Sequence, residues 1–134
     1  MIEEYLNLVH KGRAMEALFH KSYPEKISKH LHTNEYGCKC DSRCDANLIN
    51  TRLVGAYEAT RAEFGMPIMV TSGFRCTYHN MVVNGVNRSK HTRGLAIDIT
   101  HRELELLEKI ARKHFDKVIL YKDKSFLHCS MSVE

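Results

Sequence analysis

From Leu95 to Thr100 the chain alternates by size and polarity. Leu95, Ile97 and Ile99 fall on one side of an extended backbone, and Ala96, Asp98 and Thr100 on the other. A strand with one greasy face needs a cover, and the next segment supplies it: Leu104, Leu107, Ile110 and Ala111 recur at helical spacing. Thr100 to Glu103 has the spacing of a capping box that starts this helix. Lys117 to Tyr121 and Ser125 to Met131 then read as two strands joined by the turn-prone Lys122, Asp123 and Lys124. In the second strand Phe126, His128 and Ser130 share a face, and Leu127, Cys129 and Met131 take the other. Asp98 and His128 are therefore expected to project from strands of one sheet.

Ahead of this block, Ile49, Leu53, Ala56, Tyr57 and Phe64 fall on one helical face, so residues 46–64 are expected to form a helix that Gly65, Met66 and Pro67 stop. Residues 68–72 read as a short strand ended by Gly73, and 74–90 as a long exposed loop, polar and asparagine-rich. Ile2, Tyr5, Leu6, Val9, Leu18 and Phe19 among charges predict one or two short amphipathic helices over 2–20, and 30–45 reads as an irregular loop. Helices followed by mixed strands, the last two adjacent, give an α+β domain on a mainly antiparallel sheet flanked by helices.

A chain of 134 residues fits one domain. The expected division is a helical segment over 1–30 and a core over 31–134. The net charge of +4 is too small to choose an anionic partner, and no run of basic residues interleaved with aromatics indicates nucleic acid. The first residues lack a basic segment followed by an apolar one, and nothing approaches a membrane span. The expectation is a chain made in the cytosol without a signal peptide.

Two features carry chemistry. His91 stands before Gly94, whose backbone freedom can turn the chain so that His91 meets Asp98 on the following strand. A zinc site with three protein ligands and one open position needs this kind of set, and His128 is the best-placed third ligand. The second feature is cysteine. Cys38, Cys40 and Cys44 cluster, Cys76 and Cys129 lie far along the chain, and five is an odd number. Three readings stay open for Cys38, Cys40, Cys44 and Cys76: a second, structural zinc, a disulfide from the cluster to Cys76, or plain thiols. Cys129 reads as core.

Ser72-Gly73-Phe74-Arg75, then Ser89-Lys90-His91 with Gly94, Ala96 and Asp98, then Phe126-Leu127-His128 occur in order and at suitable separations. From about Thr33 to Met131 the chain resembles the zinc D-alanyl-D-alanine carboxypeptidase family, which groups with the hedgehog domains. The resemblance implies their fold, and zinc held by His91, Asp98 and His128. It also implies Arg75 near the substrate's carbonyl or carboxylate, where a planar, permanent cation suits an anionic peptide end or a developing oxyanion. Ser89 either bonds the substrate or shapes the turn.

The implied reaction is zinc-assisted amide hydrolysis of a bacterial peptidoglycan stem peptide, by a carboxypeptidase or endopeptidase. Short relatives of this kind resemble phage lysis enzymes that reach the cell wall after release or as virion components. One position departs from the pattern. Many relatives carry Glu or Asp three residues before the last histidine, where this chain has Ser125. Asp123 is the nearest acid, and hedgehog domains, whose His-Cys-Ser ending resembles His128-Cys129-Ser130, also place an acid further back. Asp123 is thus the candidate general base. A zinc-containing binding module of the same fold, with little turnover, is the alternative.

Overall fold

The computed structural model describes residues 16–132. Its centre is a four-stranded antiparallel sheet in the order β5-β6-β8-β7, built from β5 (Met69–Ser72), β6 (Ala96–Thr100), β7 (Lys117–Tyr121) and β8 (Phe126–Ser130). Two helices that pack on each other, α2 (Thr51–Phe64) and α4 (Leu104–His114), cover one face. Leu53 and Tyr57 of α2 and Leu107 and Ala111 of α4 join Ile97, Ile99, Leu127 and Cys129 of the sheet in one buried core. Each fully buried Leu or Ile there contributes about 1.5–3 kcal/mol. The alternation around Asp98 is realised as expected, and the expected hairpin is β7 and β8. The chain is a single α+β domain with antiparallel sheets packed against helices.

The strand expected at 68–72 is β5, and Gly65, at φ 75, caps the C-terminus of α2 where the stop was expected. Five other expectations are corrected. Residues 46–64 are not one helix. Ala46–Asn50 forms β4, and only Thr51–Phe64 is helical, with the Asn50 side chain accepting the Arg52 N–H as the N-cap. The strand exists because Glu16–His20 forms β1 and pairs with it antiparallel, Ala17 opposite Ile49. The helical reading thus fails for residues 16–20, while residues 2–15 lie outside the described residues. Lys26–Ser28 (β2) and Leu31–His32 (β3) form a second small pair, which also makes part of the expected helical segment extended. The segment 30–45 holds β3 and the one-turn helix α1 (Thr33–Tyr36) before it becomes irregular.

The fourth correction is in 74–90, which is not all loop: Thr77–Val82 forms α3, with Cys76 as its N-cap. The fifth is the capping box at Thr100. Thr100 ends β6 and spends its hydroxyl on the Ser125 carbonyl at 2.6 Å, so Glu103 becomes the N-cap of α4. His101 Nδ1 takes the Glu103 N–H instead.

Candidate metal centre

His91 sits in a one-turn 3-10 helix, Lys90–Arg93, held at both ends. Ser89 is its N-cap, its Oγ accepting the His91 N–H at 3.2 Å, and Gly94 leaves it at φ 69 in the left-handed region. The Gly94 carbonyl then accepts the Asn50 N–H at 2.9 Å, fastening the turn to β4. Asp98 and His128 are direct cross-strand partners of β6 and β8, with Ser72 of β5 opposite Asp98 on the other side. Three strands and one turn thus deliver the site.

The result is convergence on one oxygen. His91 Nε2 lies 3.1 Å from Asp98 Oδ1, and His128 Nδ1 lies 3.0 Å from the same atom. Three ligands at about 2 Å from a tetrahedral ion stand about 3.3 Å apart. The three side chains each offer a ligand atom within 4.8 Å of the others. His91 and Asp98 are almost wholly buried.

The ring of His91 is fixed from behind, because its Nδ1 lies 2.7 Å from the Gly73 carbonyl and can only donate there. In a neutral imidazole Nε2 is then an acceptor, facing a carboxylate oxygen. Two acceptors in contact require a second proton on the ring or a cation shared by both groups. Fixing one ring nitrogen on a carbonyl so that the other can bind metal is the usual arrangement around zinc. Burial alone would raise the Asp98 carboxyl, but hydrogen bonds and charge from His128 and His91 outweigh it and hold Asp98 near about 2. Asp98 is therefore ionised, and the donor set of two imidazoles and a carboxylate suits zinc.

Arg75 reaches the same carboxylate, Nη2 to Asp98 Oδ2 at 3.5 Å. Its Nε donates to Ser72 Oγ and its Nη1 to Asn80 Oδ1, both at 3.2 Å. Asn80 is itself buried on α3 and anchored by donating to the Val86 carbonyl at 2.9 Å. Its role as a holder of Arg75 was not read from the sequence; a polar residue five positions after the arginine gives no periodic signal.

Arg75, His91, Asp98 and His128 line an open groove of about 480 Å³. Arg75, Arg88, Lys90, Lys117 and Lys124 line it, against Asp98 as the one acid among its described lining residues. Cations that are scattered in sequence are gathered here in space. Tyr121 stacks on Phe126 at the rim, ring centroids 4.9 Å apart, a cross-strand pair that the hairpin reading could have located. Ser89 is buried and its Oγ shapes the turn. Asp123 is exposed in the β7–β8 turn and is not among the groove's lining residues, although its neighbour Lys124 is. Ser125 is exposed at φ 57.

A family model described as Peptidase M15 matches residues 24–130. The chain belongs to the Peptidase M15 family. M15 peptidases are zinc-dependent metallopeptidases of the D-alanyl-D-alanine carboxypeptidase-like kind and act on peptidoglycan peptides. The match spans β2 to β8, so all three residues of the metal centre fall within the M15 domain. No curated protein and no solved structure matches the chain. Among the described residues, no helix of the M15 domain is long and apolar enough to cross a membrane.

Proposed function

We propose that this M15 domain is a zinc peptidase that hydrolyses peptidoglycan stem peptides, with His91, Asp98 and His128 as its metal ligands. The observation that carries the reading is the meeting of both histidines on one oxygen of a buried carboxylate, at the floor of a basic groove. Zinc, when bound, supplies Lewis acidity toward the scissile carbonyl and makes water nucleophilic at neutral pH. The protein does the rest. Gly73 fixes the His91 ring, and Asp98 holds both histidines in register. Arg75, kept in place by Ser72 and Asn80, offers its guanidinium to the substrate's terminal carboxylate or to the developing oxyanion.

The groove suits a short anionic peptide with small apolar side chains. Lys90, Lys117 and Lys124 supply positive charge, and exposed Val83 and Val86 at its edge supply apolar contact. Ser89 lines the groove as well as shaping the turn, so a substrate contact from its hydroxyl is part of the proposal. Asp123 is our candidate for the proton-shuttling base. It lies between Tyr121 and Lys124, both of which line the groove. We also propose that the enzyme works on the bacterial wall in the manner of phage lysis enzymes, reaching it after release or as a virion component.

One observation favours a second reading: apart from Asp98, no carboxylate is among the groove's described lining residues. A peptide-binding module that holds zinc but turns over little fits that composition. Zinc content and release of D-alanine or cross-link fragments from purified muropeptides separate the two. For the native protein we expect about one zinc at this centre and turnover that His128→Ala abolishes along with that metal, and Asp123→Ala abolishes without losing it. Zinc with muropeptide binding and no turnover establishes the module. Absence of zinc from the native protein refutes both readings.

A further inference from the structure

Away from the histidines, four cysteines that sit on separate parts of the chain come together. Cys38 and Cys40 follow α1, Cys44 precedes β4, and Cys76 caps α3 immediately after Arg75. All four sulfurs lie within 4.8 Å of one another. Cys38 and Cys76 are separated by 3.7 Å, and Cys40 and Cys44 by 3.5 Å. A disulfide needs about 2.05 Å, and all the cysteines are free thiols. Four thiolates at about 2.3 Å from a tetrahedral zinc stand about 3.8 Å apart, which is close to the observed spacing.

The surroundings are those of thiolates. Each of the four sulfurs faces an N–H donor. The Cys76 N–H points at Cys38 Sγ at 3.3 Å, and the His79 N–H at Cys76 Sγ at 3.4 Å. Asn47 Nδ2 donates to Cys44 Sγ at 3.5 Å, and the Lys21 ammonium to Cys40 Sγ at 2.9 Å. Lys21 also donates to the Cys38 and Cys40 carbonyls, and Asn47 Oδ1 accepts the Cys38 N–H. Such donors orient and stabilise metal-bound sulfur, and the ammonium offsets the negative charge that four thiolates and a dication leave. Cys129, the fifth cysteine, sits instead in the apolar core with its thiol pushed up by burial.

We propose that Cys38, Cys40, Cys44 and Cys76 bind a structural zinc ion as a tetrathiolate, a centre separate from His91, Asp98 and His128. The metal clamps the irregular segment 37–45 onto the arm that carries Arg75. The same two segments already touch where the Arg43 guanidinium lies over the Tyr78 ring at 4.2 Å. Thiolate ligands select a soft or borderline ion, and four of them in a closed tetrahedron leave no open position for substrate.

The test is metal content and cobalt spectroscopy on the full chain, purified under reducing conditions. The native protein is expected to hold about two zinc ions, and His91→Ala/His128→Ala and Cys40→Ser/Cys44→Ser about one each. After cobalt substitution the histidine double variant keeps intense thiolate-to-cobalt charge-transfer bands. Because that variant leaves every cysteine in place, it decides the matter even if the cysteine variant fails to fold. Absence of metal from the histidine variant, or cobalt bound there without thiolate bands, overturns the proposal. So does alkylation of the unreduced, denatured chain that finds fewer than five reactive thiols. None of these readouts depends on peptidase turnover.

Discussion

Replacing Gly94 by alanine tests whether the turn that carries His91 is held by packing against β4 or only by its own backbone conformation. At φ 69 any residue with a Cβ costs about 1–2 kcal/mol. At Gly94 that Cβ would also stand 2.6 Å from the Leu48 carbonyl oxygen, 2.7 Å from its carbon and 2.9 Å from Ile49 Cα. These are backbone atoms of a strand that cannot simply retreat. Ile49 is fully buried and paired with Ala17, and Asn50 donates back to Gly94. Forcing them apart adds about 1–3 kcal/mol, so Gly94→Ala should cost about 2–5 kcal/mol in all. Gly65 is the control: φ 75, with nothing within 4 Å of its Cβ position. Gly65→Ala should therefore cost only about 1–2 kcal/mol. At about 3–5 °C per kcal/mol for a domain of this size, thermal melts should fall by about 6–25 °C and 3–10 °C respectively. Zinc affinity at the histidine centre should weaken in Gly94→Ala alone. Equal losses in the two variants would refute the packing argument.

Arg75→Lys keeps the charge but cannot bond Ser72, Asn80 and substrate together, so kcat/KM should fall about 10²–10³-fold with zinc content unchanged. Gly55 lies exposed within α2 with open space around its Cβ position, and Gly55→Ala should stabilise the fold by about 0.4–1 kcal/mol in denaturant titrations. Glu58 accepts from the Ser28 hydroxyl and from the His30 backbone and ring. Burial pushes its carboxyl up, but those bonds outweigh burial and hold it below its ordinary 4.5. A carboxyl lowered on folding stabilises above its unfolded pKa, and that contribution is lost as pH falls from there through the folded value. Glu58→Gln should thus cost about 1–2 kcal/mol at neutral pH and flatten the decline of stability below pH 4.5.

What the sequence revealed was local. The alternation around Asp98, the apolar spacing of α4 and the β7–β8 hairpin each signal within a dozen residues, and each is found in the structure. β4 carries no such signal. Ile49, Leu53 and Tyr57 share helical spacing, and only β1, some thirty residues earlier, makes Ala46–Asn50 extended. The helix α3 was illegible because its buried residue is polar, Asn80, and its cap is a cysteine. Thr100 has a capping spacing but spends its hydroxyl on Ser125, a partner 25 residues away. At the site, residue types and order pointed to His91, Asp98 and His128, yet only the fold shows both histidines on one carboxylate oxygen. The gathering of Lys and Arg into one groove and of four cysteines into one cluster is likewise tertiary.

Ser72, Asp98 and His128 lie on one rung across three neighbouring strands. The site is thus a cross-section of the sheet, and the connections 83–88, 101–103 and 122–125 lie outside its strands. Residues can be added to those connections without altering the rung, whereas a single insertion inside β6 turns Asp98 to the opposite face. Divergence in this lineage is therefore channelled: new peptide preferences can accumulate by lengthening loops around the groove, while the central strands tolerate substitution but not a change in residue count.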